Sequence, residues 1–164
     1  MSKIESIKDL FMHELKDIYH AEKQLVDELP KISKKVSSSE LKSALEEHLK
    51  ETEEQVKRVE EVFDKLGESP KAEVCQAMKG LLEECKEILK EDVSSEVIDA
   101  AIIASQQKIE HYEIASYGTL ATWANEMENK EIAKLLGITL DEEKQADEKL
   151  NQIAMHGANE RAMK

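Results

Sequence analysis

The sequence predicts an all-α protein, a bundle of four long helices with one extra short helix in the crossover between the second and third long helices. Ala, Glu, Lys, Leu and Arg, all good helix formers, make up half of the 164 residues. Glycine and proline, which interrupt helices, number only five and two. Apolar residues recur in steps of three and four, which is the period of an amphipathic helix.

The first long helix is predicted to start at Ser2, because Ser2 and Glu5 have the spacing of a capping box. Its apolar stripe begins at Phe11 and continues in steps of three and four to Val36. Pro30 lies inside this helix and lacks an amide hydrogen, so we expect a kink just before it.

The second long helix and the short helix have their own start signals. Ser37 and Glu40 predict the cap of the second helix, and Gly67 is placed to end it. Ser69 followed by Pro70 is typical of an N-cap and a first helical residue, which predicts a short helix of about twenty residues.

The last two long helices are predicted from about Ser95 to Met127 and from Asn129 to about His156. If the second long helix and the helix from Ser95 run parallel, residues 67–94 must travel back along the bundle. A helix of twenty residues covers roughly 30 Å of that distance, which gives the short helix a geometric purpose. The length of the chain favours one domain spanning residues 1–164.

Composition excludes several classes of protein. The net charge of −13 repels phosphate backbones and anionic lipid surfaces, so neither nucleic acid nor a membrane is an expected partner. There is no apolar run long enough to span a membrane and no apolar core of a signal peptide, which predicts a soluble, cytoplasmic protein. Cys75 and Cys85 are ten residues apart in a segment expected to be helical, beyond disulfide reach.

Each long helix carries polar residues at positions that the apolar spacing assigns to the interior. Residues three or four apart share a helix face, so the acidic residues of each helix point together. The acids and the histidine on or beside these faces are Glu22, His48, Glu51, Glu110, Glu113, Glu143 and Asp147.

These acids are predicted to meet at one height in the bundle. Glu113 lies as many residues before Met127 as Glu143 lies after Asn129, so antiparallel neighbouring helices bring them level. Burying six carboxylates with one histidine is prohibitive unless protons or cations neutralise them. Two hard cations suit such an oxygen-rich set, and iron or manganese is favoured over zinc.

Four segments resemble the ferritin-like superfamily and, within it, the YciE/YciF-like stress-associated bacterial proteins. They are YHAEKQL at 19–25, HLKET at 48–52, DAAIIASQQKIEHYEIASYGTLATWA at 99–124 and LDEEKQAD at 140–147. The resemblance implies a ferritin-like bundle with an added helix, a carboxylate-bridged dinuclear metal site and a homodimer. Carried over by position, the implied metal ligands are Glu22, His48, Glu51, Glu110, Glu113, Glu143 and Asp147.

The sequence departs from the usual di-iron pattern at two places. That pattern has Glu-x-x-His on two helices. Here one helix reads His48-x-x-Glu51, and Ala146 occupies the position three residues after Glu143 where a histidine is usual. Among the other polar residues, His111 is expected off the metal face. Tyr117, one turn from Glu113, is expected to fill the bundle core, and the alternative is a hydrogen bond to a ligand carboxylate or an electron relay.

Three functions remain open from the sequence. The leading hypothesis is a protein that binds two ions of iron or manganese and reacts with oxygen or peroxide, in a peroxidase-like or ferroxidase-like activity linked to stress. The alternative is a non-catalytic bundle that acts through protein contacts, with a structural metal or none. Iron storage in a cage is disfavoured, because the relatives that the resemblance suggests form small oligomers.

Overall fold

The computed structural model of the chain describes residues 4–164, which fold entirely into helices and connecting loops. The predicted all-α, ferritin-like bundle with an extra short helix is therefore confirmed. The helices are α1 (Ile7–Ser33), α2 (Ser39–Lys65), α3 (Gln76–Ile88), α4 (Ser95–Glu126) and α5 (Lys130–Ile153), followed by a π-helical turn (Ala154–Ala158) and α6 (Asn159–Ala162).

The first helix begins later than the capping box that the sequence suggested. Ser6 is the N-cap: its hydroxyl oxygen accepts a hydrogen bond from the amide of Asp9 at 3.2 Å, and the Asp9 carboxylate accepts one from the amide of Glu5 at 3.2 Å. The capping box therefore starts at Ser6, and Ser2 lies outside the described residues. The helix continues through Pro30 for three more residues.

The second helix is capped by Ser38 and not by Ser37. Ser37 is already engaged, because its amide and its hydroxyl donate to the carboxylate of Asp99 at 2.8 and 2.6 Å. The Ser38 amide donates to the same carboxylate at 2.9 Å. A tertiary contact with the start of α4 thus moves the cap by one residue.

Contacts between the long helices define their directions. The offset between contacting residues is nearly constant from α2 to α4, at Ser38–Asp99 and again at His48–Glu110, so these helices run parallel. Contacts from α2 to α5 advance on one helix as they retreat on the other, from the Lys149–Glu47 pair to the Lys65–Glu131 pair. These two helices are therefore antiparallel.

The crossover differs from the predicted helix of twenty residues after Pro70. Residues 68–75 contain no helix, and α3 has only thirteen residues. The non-helical stretch bonds to α1, where the amide of Glu73 donates to the carbonyl of Lys16 at 3.2 Å and the side chain of Gln24 donates to the carbonyl of Cys75 at 3.2 Å. Because non-helical chain covers more distance per residue than a helix, a shorter helix suffices.

The last long helix ends at Ile153, three residues before the predicted end. Gly157 has a φ of +137°, a conformation that side chains rarely adopt, and an added Cβ would lie 2.7 Å from Nη1 of Arg161. The glycine therefore allows the wide turn that connects α5 to α6.

The apolar stripes predicted from the sequence form one core between the helices. Phe11, Leu15, Leu25 and Leu45 are among its buried members. Cys75 and Cys85 are free and buried, as expected from their spacing. None of the helices in the described part of the chain is long and apolar enough to cross a membrane.

Candidate metal centre

Three of the long helices bring four potential ligands together at mid-height in the bundle. His48 comes from α2, Glu110 and Glu113 from α4, and Glu143 from α5. One ligand atom from each lies within 4.8 Å of all the others, and all four side chains are buried. The predicted meeting of Glu113 and Glu143 at one height is confirmed.

Most polar atoms of this cluster have no hydrogen-bond partner. Both carboxylate oxygens of Glu110 and Glu113, one oxygen of Glu143 and both ring nitrogens of His48 are buried without one. Each buried unsatisfied polar atom costs about 1–3 kcal/mol, and more where it carries charge. The donor set is rich in oxygen and includes one imidazole, so it fits divalent iron or manganese. The orphaned atoms are those that such ions would bind.

Glu22 on α1 lies beside this cluster and is fully buried. One of its oxygens accepts a hydrogen bond from the hydroxyl of Tyr117, while its other oxygen has no partner. Burial and the nearby charge of Glu143 raise the pKa of Glu22 to about 8. Tyr117 therefore does more than fill the core, because it holds one oxygen of a predicted ligand.

Glu143 is held by a second polar network. The side-chain amide of Gln55 donates to one Glu143 oxygen at 2.5 Å and to Glu142 at 3.1 Å. Glu142 in turn accepts two hydrogen bonds from Arg58, at 2.7 and 2.9 Å, and Arg58 also donates to Thr139 at 2.6 Å. Because the side-chain nitrogen of Gln55 donates to two carboxylates, its NH₂ group and not its carbonyl oxygen must face Glu143.

Burial dominates the electrostatics of the cluster. Desolvation and the neighbouring acids raise the pKa of Glu113 well above its usual range, and desolvation raises those of Glu110 and Glu143, although the charge of His48 opposes it. Desolvation lowers the pKa of His48, but Glu110, Glu51 and other acids outweigh it and raise that pKa to about 10. Without metal, the cluster therefore retains protons at neutral pH.

Besides Glu22, two of the predicted ligands lie outside the four-residue cluster. Glu51 is 42% exposed, and its nearest carboxylate oxygen is 3.9 Å from Nδ1 of His48. Asp147 lies on the side of α5 that faces His111, and one of its oxygens is 3.3 Å from Nε2 of that residue. Both side chains are partly exposed, whereas Glu110 and Glu113, which are also three residues apart, both belong to the buried cluster. The role of Glu51 and Asp147 as ligands stays a prediction.

Sequence reasoning missed most of the supporting network. The helical spacing places Gln55 at an interior position, but nothing in that spacing indicates that it binds Glu143. Arg58 and Glu142 give no signal at all, because isolated charged residues on a helix are normally solvated. His111 lies off the metal face, as expected, and is largely exposed.

A cavity of about 500 Å³ leads from the surface to this cluster between α2 and α5. His48 and Glu110 line its inner end, and Ala146 and Glu51 contribute to its walls. Solvent therefore approaches the side chains of His48 and Glu110 from one side, while their ligand atoms stay buried.

The fold and the site together define a ferritin-like bundle with a buried, carboxylate-rich candidate metal centre. The family described as Domain of unknown function (DUF892) matches residues 6–163, and the chain belongs to that family.

Individual relatives agree with this assignment. The chain is 44% identical to protein YciF of Escherichia coli (strain K12) over 160 residues, which cover 97% of this chain and 96% of the relative. The crystal structure of the E. coli stress protein YciF matches with a TM-score of 0.91 and 44% identity, covering 95% of this chain and 99% of the other. The structure of YcfI from Rhodopseudomonas palustris matches with a TM-score of 0.89 and 43% identity, covering 92% and 96%.

Proposed function

We propose that this protein binds two ions of iron or manganese in the centre of the bundle and uses them to reduce oxygen or peroxide. The observation that carries the proposal is the set of buried carboxylate oxygens and imidazole nitrogens without hydrogen-bond partners. A bundle that binds no metal has no reason to keep such atoms, because apolar residues of similar size would be less costly. The similar YciF of E. coli is a stress protein, which is consistent with a role in oxidative stress.

The buried part of the proposed ligand set consists of Glu22, His48, Glu110, Glu113 and Glu143. Glu51 and Asp147 complete the proposed ligand set, since both are carboxylates within one turn of a buried member. When bound, the two metal ions would supply two electrons for the reduction of oxygen or peroxide.

The rest of the chemistry depends on residues of this chain. Tyr117 and Gln55 each engage one oxygen of a carboxylate and leave its second oxygen free, which orients Glu22 and Glu143 toward the centre. The raised pKa values of the acids mean that ion binding displaces protons, which then leave toward solvent through the cavity beside His48.

Anaerobic titration with Fe(II) followed by hydrogen peroxide tests this proposal. We expect two irons bound per chain and rapid oxidation in proportion to bound iron. Both should be lost in Glu113→Ala, and both should persist in the control Glu126→Ala, which removes an exposed glutamate from the same helix. Equal oxidation by the Glu113→Ala variant and the parent would refute catalysis at this site.

The alternative is a bundle that acts through protein contacts. A structural role has been suggested for YcfI, which favours keeping this alternative. It predicts that the protein binds metal without oxidising it, or binds none. The same titration separates the two proposals.

We also propose that the protein is a cytoplasmic homodimer, on the strength of the family resemblance. Sedimentation should then give twice the chain mass of 18.6 kDa. A particle on the scale of a storage cage, or a monomer at micromolar concentration, would contradict this assignment.

A further inference from the structure

The cavity beside the metal centre is larger than dioxygen or hydrogen peroxide requires. A water molecule occupies about 30 Å³ in the liquid, and the cavity measures about 500 Å³. It extends from the surface to the side chains of His48 and Glu110, so a molecule inside it lies against one end of the cluster. Both ring nitrogens of His48 are buried without a hydrogen-bond partner, although the side chain lines this space.

The cavity exists because two alanines occupy its walls. Ala146 on α5 stands where the usual di-iron pattern has a histidine, and Ala44 faces it from α2. A histidine at 146 would occupy this volume with a bulky ring. The departure from the common ligand pattern therefore opens one side of the centre to solvent.

The chemistry of the walls indicates the kind of molecule that fits. Leu45 and Leu150 add apolar surface to the two alanines. The lining also carries Glu47, Glu51 and Glu148 against Lys144 and Lys149, and Lys149 contacts Glu47. This excess of acids and the net charge of −13 repel anions, while the leucines and alanines offer apolar contact to an uncharged molecule. An uncharged molecule with a short apolar body and one polar end is the best match.

We infer that this cavity binds uncharged organic hydroperoxides, with the carbon body against Leu45 and Leu150 and the peroxide end toward His48 and Glu110. This inference rests on the proposed function and names its substrate class. In the overall reaction the O–O bond breaks, two ferrous ions each give one electron, and solvent supplies two protons. The products are one alcohol, one water and two ferric ions.

A binding measurement without metal tests the cavity directly. tert-Butanol is the unreactive alcohol counterpart of tert-butyl hydroperoxide, and we expect it to shift the amide NMR signals of residues 44–51 and 144–152. Ala146→Phe fills the cavity and should abolish these shifts. Ala77→Phe, which places the same ring at an exposed site on α3, should retain them. Shifts that are absent from the parent, or that persist in Ala146→Phe, would overturn the inference.

A kinetic comparison tests the substrate class in the iron-loaded protein. The quantity to measure is the rate of iron oxidation by tert-butyl hydroperoxide divided by the rate with hydrogen peroxide. We expect this ratio to fall at least tenfold in Ala146→Phe and to stay at the parental value in Ala77→Phe.

The outcomes distinguish the inference from the proposed function. Oxidation of bound iron by hydrogen peroxide but not by the organic peroxide would overturn the inference alone, as would an unchanged ratio in Ala146→Phe. Failure of both peroxides to oxidise the bound iron would overturn the proposed function together with the substrate class. Ala146→Leu provides a smaller filling residue in case the phenylalanine variant does not fold.

Discussion

The protein buries carboxylates at two places, at Asp99 and in the central cluster, and the two places differ in the hydrogen bonds that the carboxylates accept. Asp99 at the start of α4 is only 3% exposed, yet it accepts three hydrogen bonds from Ser37 and Ser38. Glu110 and Glu113, on the same helix, are equally buried and accept none. Burial of an acid is therefore not by itself a sign of a functional site.

The difference lies in what neutralises each group. Asp99 finds its partners in the loop before α2, so it stabilises the junction between two helices and needs nothing from outside the chain. Glu110 and Glu113 have only the neighbouring acids and His48. The protein stabilises these acids with protons, and we propose that metal ions replace the protons. Four measurements test this difference between Asp99 and the central acids.

The largest expected effect is stabilisation of the parent protein by metal. An ion at a thousand times its dissociation constant adds about 4 kcal/mol for one site. For a chain of this size about 1 kcal/mol corresponds to roughly 2–4 °C in Tm. We expect Mn(II) to raise Tm by about 10 °C or more, measured by calorimetry with and without a chelator.

The two groups should separate in that experiment. Asp99→Ala should retain the increase in Tm, whereas Glu113→Ala should lose it. An equal metal response in all three proteins would show that binding does not depend on the buried cluster.

Removing Asp99 should destabilise the metal-free protein, whereas removing a central acid should not. Asp99→Ala leaves the amides of Ser37 and Ser38 without partners and should cost about 3 kcal/mol. Glu113→Gln removes a buried acid without partners and should leave stability unchanged or increase it. Urea denaturation of both variants checks the signs, and a loss in Glu113→Gln as large as that in Asp99→Ala would contradict the comparison.

The pH dependence of the metal-free protein follows from the raised pKa values. The folded-state pKa of Glu22 is about 8 and that of His48 about 10, both above the ordinary values of 4.5 and 6.5. A group with a raised folded-state pKa contributes stability below its ordinary value and loses it as pH rises through the folded-state value. Tm should therefore fall by several degrees between pH 5.5 and 8.5.

Metal should reverse this dependence, because ions compete with protons for the same oxygens. The metal-loaded protein is expected to lose stability on acidification over the same range. Glu113→Gln, which keeps the surface carboxylates, serves as the control for general charge effects and should show a shallower slope in the metal-free form. Parallel slopes with and without metal would rule out this coupling.

The smallest effect is expected from the residue that orients Glu143. Gln55→Leu removes the hydrogen bond to Glu143 but no predicted ligand, and loss of such an orienting partner typically weakens metal binding about 10–100-fold. Gln76→Leu, at an exposed position on α3, is the control. Competition with a chelator of known affinity measures the metal affinity of both variants. Unchanged affinity in Gln55→Leu would show that Gln55 does not contribute to metal binding.

The sequence predicted the fold class and most of the central cluster. Helix period, caps and scarce breakers indicated four long helices and a short one, and the counting of residues from the loop at 127–129 brought Glu113 level with Glu143. Local periodicity suffices for these conclusions, because a helix repeats every 3.6 residues whatever it packs against.

Local periodicity failed where a partner from elsewhere in the chain decided the outcome. The cap of α2 moved to Ser38 because Asp99 engages Ser37, and the crossover stayed non-helical where residues 68–75 bond to α1.

Residue spacing in the sequence was enough to show which helix faces are apolar and which of them carry acids. Packing between helices set the hydrogen bonds of each acid: Asp99 has three donors, Glu22 has the hydroxyl of Tyr117, and Glu110 and Glu113 have no hydrogen-bond donor. The reason is physical, because hydrogen bonding needs atoms within about 3 Å, and spacing along one helix cannot specify what another helix brings to that distance.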